Sequence, residues 1–343
     1  MCAVLLGPAP AALAGVANGG LPGAPPGNPL AAMRWGWDTS VHDAAYVAYS
    51  RASGAERRLL AKIALRPTAA WFGSWDPPTY VGQAVGGYIR SVTGGDSTVL
   101  AQVTVFGLEP WEQAACNSAP TPARQQAYRS WIDNLASGIG ESRVAVILQP
   151  DLPFALCSPG QRQWLALVAY AARTLSAQPH TTVYIDGGAR YFPAGNRATG
   201  MLQAAGVRYA RGFALSDTEY DSTSAELGLG ASIVRQLARN GIRGKHFVIN
   251  TAQNGAPFLN GQYHGDISNP RVCASRHDHL CATLGIPPTW HTADRRWHLS
   301  RGARAIAARY ADAYGWVGRP WLDYGSDPFD LQRALGLARS TPF

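Results

Sequence analysis

The sequence predicts an α/β protein built as one barrel of parallel strands, and three observations carry that prediction. Short apolar, β-rich runs alternate with amphipathic helical segments beyond the first few dozen residues, which is the pattern of repeated βα units. A length of 343 residues suits one large barrel or two ordinary domains, and no internal linker marks a second domain. The strand candidates end, one after another, in acidic or amide residues, which a parallel barrel gathers at a single mouth.

In chain order, residues 3–14 are apolar and small and close on Ala12-Leu13-Ala14, like the end of a secretory leader at a small-residue cleavage site. The basic start of such a leader is missing. Residues 15–29 form a Gly/Pro/Asn stretch too poor in apolar side chains to fold alone. Residues 1–29 are therefore expected to be leader and linker, and residues 30–343 the barrel domain. Strands are expected at 68–71, 100–106, 144–148, 182–185, 206–215, 246–249 and 314–317. Crossover helices are expected at 43–62, 80–92, 123–139, 160–175, 197–205, 222–240 and 303–313.

Composition removes several function classes. With 46% hydrophobic and only 15% charged residues, and with 37 Gly and 24 Pro, the chain is neither a coiled coil nor an acidic disordered segment. No run of some 18 apolar residues exists, so no membrane span is expected. The net charge of +8 comes almost wholly from Arg, with Lys only at Lys62 and Lys245. Along the chain these cations are scattered, in nothing denser than pairs such as Arg57-Arg58 and Arg295-Arg296, so no nucleic-acid partner is expected. A diffuse basic surface still favours acidic polymers.

Five cysteines leave Cys2 in the leader and Cys116, Cys157, Cys273 and Cys281 in the body. An even count in an exported chain points to two disulfides, with Cys116–Cys157 and Cys273–Cys281 preferred among three possible pairings. The rival is a zinc loop, because His277 and His279 lie between Cys273 and Cys281, but that spacing matches no common structural zinc motif. No metal or other cofactor is expected.

The strand ends hold the informative residues. The run at 100–106 leads to Glu109 and Glu112, and 144–148 leads to Gln149-Pro150-Asp151. The later runs lead to Asp186, to Asp217 and Glu219, to Asn250, and to Arg319 and Asp323. Any one of these could be a helix N-cap. Several in succession favour a shared site. Clustered carboxyls without a Ser-His pair or a Gly-rich phosphate loop suit acid catalysis, of which glycosidic cleavage is the commonest case. Neighbouring carboxylates and partial burial would hold one carboxyl protonated. Trp71, Trp75, Trp111, Trp290, Trp297, Trp316 and Trp321 fall near strand ends or loops, where three or four could stack on sugar faces. The run Gly-Ala-Ser-Ile-Val at 230–234 lies in a helical pattern and is not a nucleophile elbow. His180, His246 and His291 have no metal-ligand spacing.

These motifs resemble glycoside hydrolase family 6, the inverting β-1,4-glucanases and cellobiohydrolases, over residues 28–340. The likeness rests on Asn28-Pro29-Leu30, on the segment IALRPTAAWFG at 63–73, on Gln149-Pro150-Asp151, and on VYIDGG at 183–188. It continues through RGFA at 211–214, GKHFVINT at 244–251 with Asn254-Gly255, LGIPPT at 284–289 and DAYGW at 312–316. The resemblance implies a distorted TIM-like barrel of seven or eight βα units with its site at the strand carboxyl ends. It implies that Asp151 donates the proton, that Glu112 raises the pKa of that acid and helps position water, and that Asp186 acts electrostatically.

The chain departs from the family where the base is expected, since GRPWLDYG at 318–325 leaves Asp323 one residue early. Ala189-Arg190-Tyr191-Phe192 replaces a segment with a sugar-stacking Trp, and Gln149 and Asn250 replace two acids. Candidate substrate contacts are Trp71, Trp111, Gln149, Phe192, Asn250, Trp290, Arg319 and Trp321, with Asp323 as a possible substitute base. The expected protein is a secreted monomer that cleaves a β-linked oligosaccharide or polysaccharide other than plain cellulose. The alternative is a carbohydrate-binding descendant that has lost hydrolysis with the base.

Overall fold

A computed structural model of the chain describes residues 27–193 and 195–343. The expected leader, and the expected linker up to residue 26, lie outside the described residues. The remainder of the linker docks on the barrel: Asn28 Nδ2 donates to the Asp312 carbonyl at 2.7 Å. Trp35 Nε1 donates to the Leu30 carbonyl at 3.0 Å.

Helices α1 (Ala44–Arg51) and α2 (Gly54–Ala64) precede strand β1 (Ala70–Gly73). There follow α3 (Pro78–Thr93), β2 (Ala101–Phe106), the short α4 (Glu112–Ala115), α5 (Pro122–Ile139) and β3 (Val144–Leu148). Then come α6 (Gln161–Ser176), β4 (Thr181–Asp186), α7 (Gly195–Ala204), β5 (Gly212–Leu215), α8 (Thr223–Arg239) and β6 (His246–Asn250). The chain finishes with α9 (Arg301–Tyr310), β7 (Ala311–Gly315), a small hairpin of β8 (Leu322–Asp323) and β9 (Ser326–Phe329), and α10 (Leu331–Ser340).

The seven strands β1 to β7 form one parallel sheet in sequence order, as the alternating pattern predicts. The sheet curls until its edges meet, but no ladder joins β7 to β1. The seam is crossed by Ala69 N donating to the Trp316 carbonyl at 2.9 Å and by Trp71 Nε1 donating to the Val317 carbonyl at 2.8 Å. The result is a distorted barrel with a weak side. Both faces of each central strand are covered, which is why β3 reads as the unbroken apolar run VAVIL. Val144, Val146 and Leu148 pack against the helices, while Ala145 and Ile147 point inward with Tyr184, Ala214, Val248 and Ala313. Each such Val, Leu or Ile stabilises the fold by about 1.5–3 kcal/mol when fully buried.

The expected elements are largely present with shifted ends. The helix expected at 43–62 is two helices, because Ser53 is extended at ψ 171° and Gly54 has φ +54°. The helix expected at 303–313 stops at Tyr310. Its Ala-rich run favours helix, but Ala311 and Ala313 are drawn into strand pairing with Phe247 and Val248, so tertiary context overrides local propensity. The strand expected at 314–317 accordingly lies at Ala311–Gly315, and the long one expected at 206–215 is confined to Gly212–Leu215. The β8–β9 hairpin and α10 carry no clear strand or crossover signal and were not anticipated.

Candidate active site

The site grows from the end of β3. Beyond Leu148, both Gln149 and Asp151 adopt left-handed backbone, at φ +58° and +63°. Such a conformation costs roughly 1 kcal/mol or more per non-glycine residue, so the surroundings must impose it. They do so by hydrogen bonds: Gln149 N donates to the Val105 carbonyl at 2.7 Å, and Gln149 Oε1 accepts from Leu108 N at 3.3 Å. Leu152 N donates to Asp186 Oδ2 at 3.1 Å, which fixes the backbone just past Asp151. The reversal turns the Asp151 carboxyl into a pocket lined by Phe106, Trp111, Glu112, Gln149 and Phe154.

Three consecutive residues after β5 complete the cluster. Asp217 reaches Asp186 with its carboxyl, Thr218 Oγ1 donates to Asp151 Oδ1 at 3.0 Å, and Glu219 accepts from the Tyr191 hydroxyl. Asp186 also accepts from Gly188 N at 2.8 Å. Behind them Glu226 of α8, fully buried, accepts from Arg190 N at 2.9 Å and so anchors the hairpin that carries Tyr191 and Phe192.

Five carboxyls packed in this way cannot all ionise. Burial, then the charges of Asp186 and Glu112, push the Asp151 carboxyl up to about 8. Burial raises Asp186 to about 7, with the two backbone N–H bonds acting against it. Asp217 is pushed well above the usual carboxylate range, by burial first and Asp186 next. The physical sense is that Asp217 is the member of the pair that keeps its proton beside Asp186, so the pair carries at most one charge near neutral pH. Burial drives Glu226 up to about 8 as well. At neutral pH burial and the neighbouring carboxylates thus favour the protonated form of Asp151, whose carboxyl lines a narrow pocket.

The structure brings Glu112, Asp151 and Asp186 together and leaves Asp323 outside. Glu112 begins α4, exposed and at φ +49°, and its charge is felt at Asp151. Asp323 is exposed on the β8–β9 hairpin, where Oδ1 accepts from Asn269 Nδ2 at 2.9 Å. Gln149 lines the pocket. Trp111 stacks on Phe106 at 5.9 Å between ring centroids and lines the pocket with Asp151, and half-exposed Trp75 lies edge-on to Trp111 at 6.2 Å. Trp71 packs edge-on to Phe106 at 5.6 Å, and the Arg319 guanidinium covers its ring at 5.6 Å, which places both at the barrel seam. Phe192 packs on Phe154 at 5.3 Å. Trp290 is half-buried and stacked on His291 at 3.5 Å.

Two expected contacts are core residues instead. Trp321 is 5% exposed and packs on Trp316 at 5.7 Å, because the chain turns inward at Pro320 to cover α2 and α10. Asn250 is buried with its whole amide used. Its Nδ2 donates to the carbonyls of Ser216 and Asp217, and its Oδ1 accepts from the N–H groups of Ala252, Val317 and Gly318. It braces the β5 and β7 loops against each other.

Thr218 and Tyr191 contribute contacts that the sequence reading did not single out. For Thr218 the signal is its place between Asp217 and Glu219 just after β5; Tyr191 follows Asp186 by five residues in a segment, GGARYFP at 187–193, that holds no acid.

Both preferred disulfides are present, Cys116–Cys157 and Cys273–Cys281. The second takes both thiols of the zinc alternative. The first joins the residue after α4 to the turn that follows Asp151, across 41 residues of sequence. Closing a loop of that length in the unfolded chain is worth about 4 kcal/mol in the chain-entropy model. Replacing Cys116 and Cys157 by Ser is expected to lower unfolding free energy by about 2–4 kcal/mol. The same change frees the Glu112 loop from the Asp151 loop. A shift in the urea midpoint of equilibrium unfolding measures the effect; an unchanged midpoint contradicts it.

Comparison with known proteins fits this arrangement. The model of the family described as "Glycosyl hydrolases family 6" matches residues 33–298. Endoglucanase A of Cellulomonas fimi is 34% identical over 230 residues, which cover 66% of this chain and 47% of that protein, so the likeness spans about half of its length. Endoglucanase 1 of Streptomyces halstedii is 31% identical over 230 residues, or 66% of this chain and 68% of that protein. Among solved structures, the endoglucanase Cel6 of Mycobacterium tuberculosis superposes with a TM-score of 0.71 at 30% identity, covering 90% of this chain and 98% of that one. That structure holds a methyl-cellobiosyl-4-deoxy-4-thio-β-D-cellobioside.

Proposed function

We propose that this chain, which belongs to glycosyl hydrolases family 6, is a secreted inverting glycosidase that cleaves a β-1,4-linked glucan or a close structural variant of it, with Asp151 as the general acid. The observation that carries the proposal is the placement of Asp151, whose carboxyl accepts from Thr218 Oγ1 at 3.0 Å and lines a pocket with Phe106, Trp111 and Glu112, where burial and neighbouring carboxylates push its pKa up to about 8. Glycosidic cleavage needs such an acid to protonate the departing oxygen, and the Trp111 indole offers the apolar face of a neutral sugar a surface to rest against. Asp186, with Asp217 retaining a proton beside it, supplies the negative charge that keeps Asp151 protonated and favours the oxocarbenium-like transition state. Glu112, exposed at the pocket rim, is the carboxylate free to organise the attacking water. The likeness to the endoglucanases, and the thio-oligosaccharide held by one of them, supports a β-glucan as substrate. The two disulfides favour an oxidising, extracellular setting.

The placement of Asp323 outside the carboxyl cluster favours a second reading, a carbohydrate-binding protein that no longer hydrolyses. One experiment separates the two. Proton NMR of cellopentaose incubated with the protein is expected to show the α-anomer of a new reducing end first, because inversion converts a β-linkage into an α-product. Initial appearance of the β-anomer contradicts inversion. Binding without cleavage of any neutral β-glucan establishes the second reading.

A further inference from the structure

Five of the 30 basic residues that look scattered along the chain converge in space. The C-terminal half of α8, the turn into β6 and the end of α9 flank a shallow, open groove of about 770 Å³. Arg235, Arg239, Arg243, Lys245 and Arg309 line it, and no acidic side chain does. Four of the five are exposed arginines. The side chains of Arg235, Arg239 and Arg243 have no hydrogen bond or ion pair to any described residue. Arg309 lies on the Tyr310 ring at 5.0 Å. Lys245 Nζ is turned onto the carbonyls of Arg208 and Ala210. The neighbouring carboxylate, Asp312, is fully buried and taken up by Arg211, so it does not neutralise the groove.

Helix dipoles account for part of this arrangement, since Arg239 and Arg309 stand in the last turns of α8 and α9. They do not account for Arg243, which follows the helix. Nor do they account for Arg235, which repels Arg239 across one helical turn.

We propose that this groove binds an acidic polysaccharide, one whose sugars carry carboxylates, and so holds the protein on a charged matrix. Guanidinium forks match carboxylates in bidentate geometry, and closely spaced arginines gain from releasing the counterions of a polyanion. The groove has no open aromatic platform: Tyr310 is half-buried beneath Arg309. That argues against single-stranded nucleic acid, whose bases require stacking. The groove lies at the amino ends of β6 and β7, whereas the carboxyl cluster lies at the carboxyl ends of β3 to β5. A polymer held at one end leaves the other open. The proposal does not depend on hydrolysis.

The test measures binding of the full chain to polygalacturonate, with neutral dextran and duplex DNA as comparisons. Wild-type protein is expected to bind polygalacturonate at about 50 mM salt, to lose most of that affinity by about 200 mM, and to ignore dextran. The triple variant Arg235→Gln, Arg239→Gln, Arg243→Gln is expected to bind at least about tenfold more weakly with an unchanged melting temperature, as exposed positions permit. Arg243→Glu alone, in a surface turn, gives a second and milder disruption of the same groove. Asp151→Asn is expected to bind like wild type, which separates this site from the carboxyl cluster. Equal binding by the triple variant, or tighter binding of duplex DNA than of polygalacturonate, overturns the proposal.

Discussion

Replacing Asp151 by Asn is expected to lower the rate of β-glucan hydrolysis about a hundred- to ten-thousand-fold, the range that a positioned general acid supplies. Asn keeps the shape and can still accept from Thr218, so the pocket persists and the ligand still binds. The loss is expected to shrink with a substrate whose leaving group is a dinitrophenolate, since that departs without being protonated. A merely structural defect would slow both substrates alike. The pH profile carries the same signature. Wild-type activity is expected to fall as pH rises through about 8, where Asp151 loses its proton. Stability follows the same group. Its folded pKa lies above the unfolded value of 3.8, so ionising it opposes folding. That contribution is fully favourable below pH 4 and is lost as pH rises through about 8. Asp151→Asn removes the penalty, so the variant is expected to melt no lower than wild type at pH 8–9. A lower melting temperature there, or activity within threefold of wild type on cellopentaose, contradicts the assignment.

What the sequence disclosed, and what it hid, follows from the kind of information each feature carries. The barrel was legible because parallel strands buried on both faces leave unbroken apolar runs, and VAVIL at 144–148 can hardly be anything else. The convergence of Asp151, Asp186 and Glu112 was legible from topology alone, since every strand of such a sheet ends on one side. Residue type could not separate binding from bracing. Asn250 satisfies two loops and Trp321 fills a core, and neither differs in sequence from a residue that holds sugar. The charged groove was hidden for the opposite reason. Arg235, Arg239, Arg243 and Arg309 are spread over 75 positions, and only the packing of α8 beside α9 joins them. Asp312 stands in the family-like DAYGW at 312–316, but its role was hidden because local alanines suggested helix where tertiary pairing makes strand.

That misassigned aspartate is where the largest loss of stability is expected. Asp312 is fully buried on β7 and accepts from Arg211 Nε at 2.8 Å, Arg211 Nη2 at 3.0 Å and the Tyr184 hydroxyl at 2.8 Å. His246 Nδ1 stands 3.4 Å from its other oxygen. Three groups, from β4, β6 and the segment before β5, therefore meet on the one β7 carboxylate inside the barrel. Asp312→Ala leaves a half-buried guanidinium and a buried hydroxyl without their acceptor, and breaking a buried pair in this way costs about 3–5 kcal/mol. Asp312→Asn retains one acceptor and is expected to cost less. Arg211→Met combined with Asp312→Ala is expected to recover part of the loss, because removing both charges also removes the uncompensated desolvation. The order of urea midpoints, wild type above the Asn variant above the Ala variant, with the double variant above Ala alone, is the measured signature. A double variant that falls below Asp312→Ala by the full cost of Arg211→Met would mean that the two side chains act independently. The ion pair would then not be what joins the segment before β5 to β7.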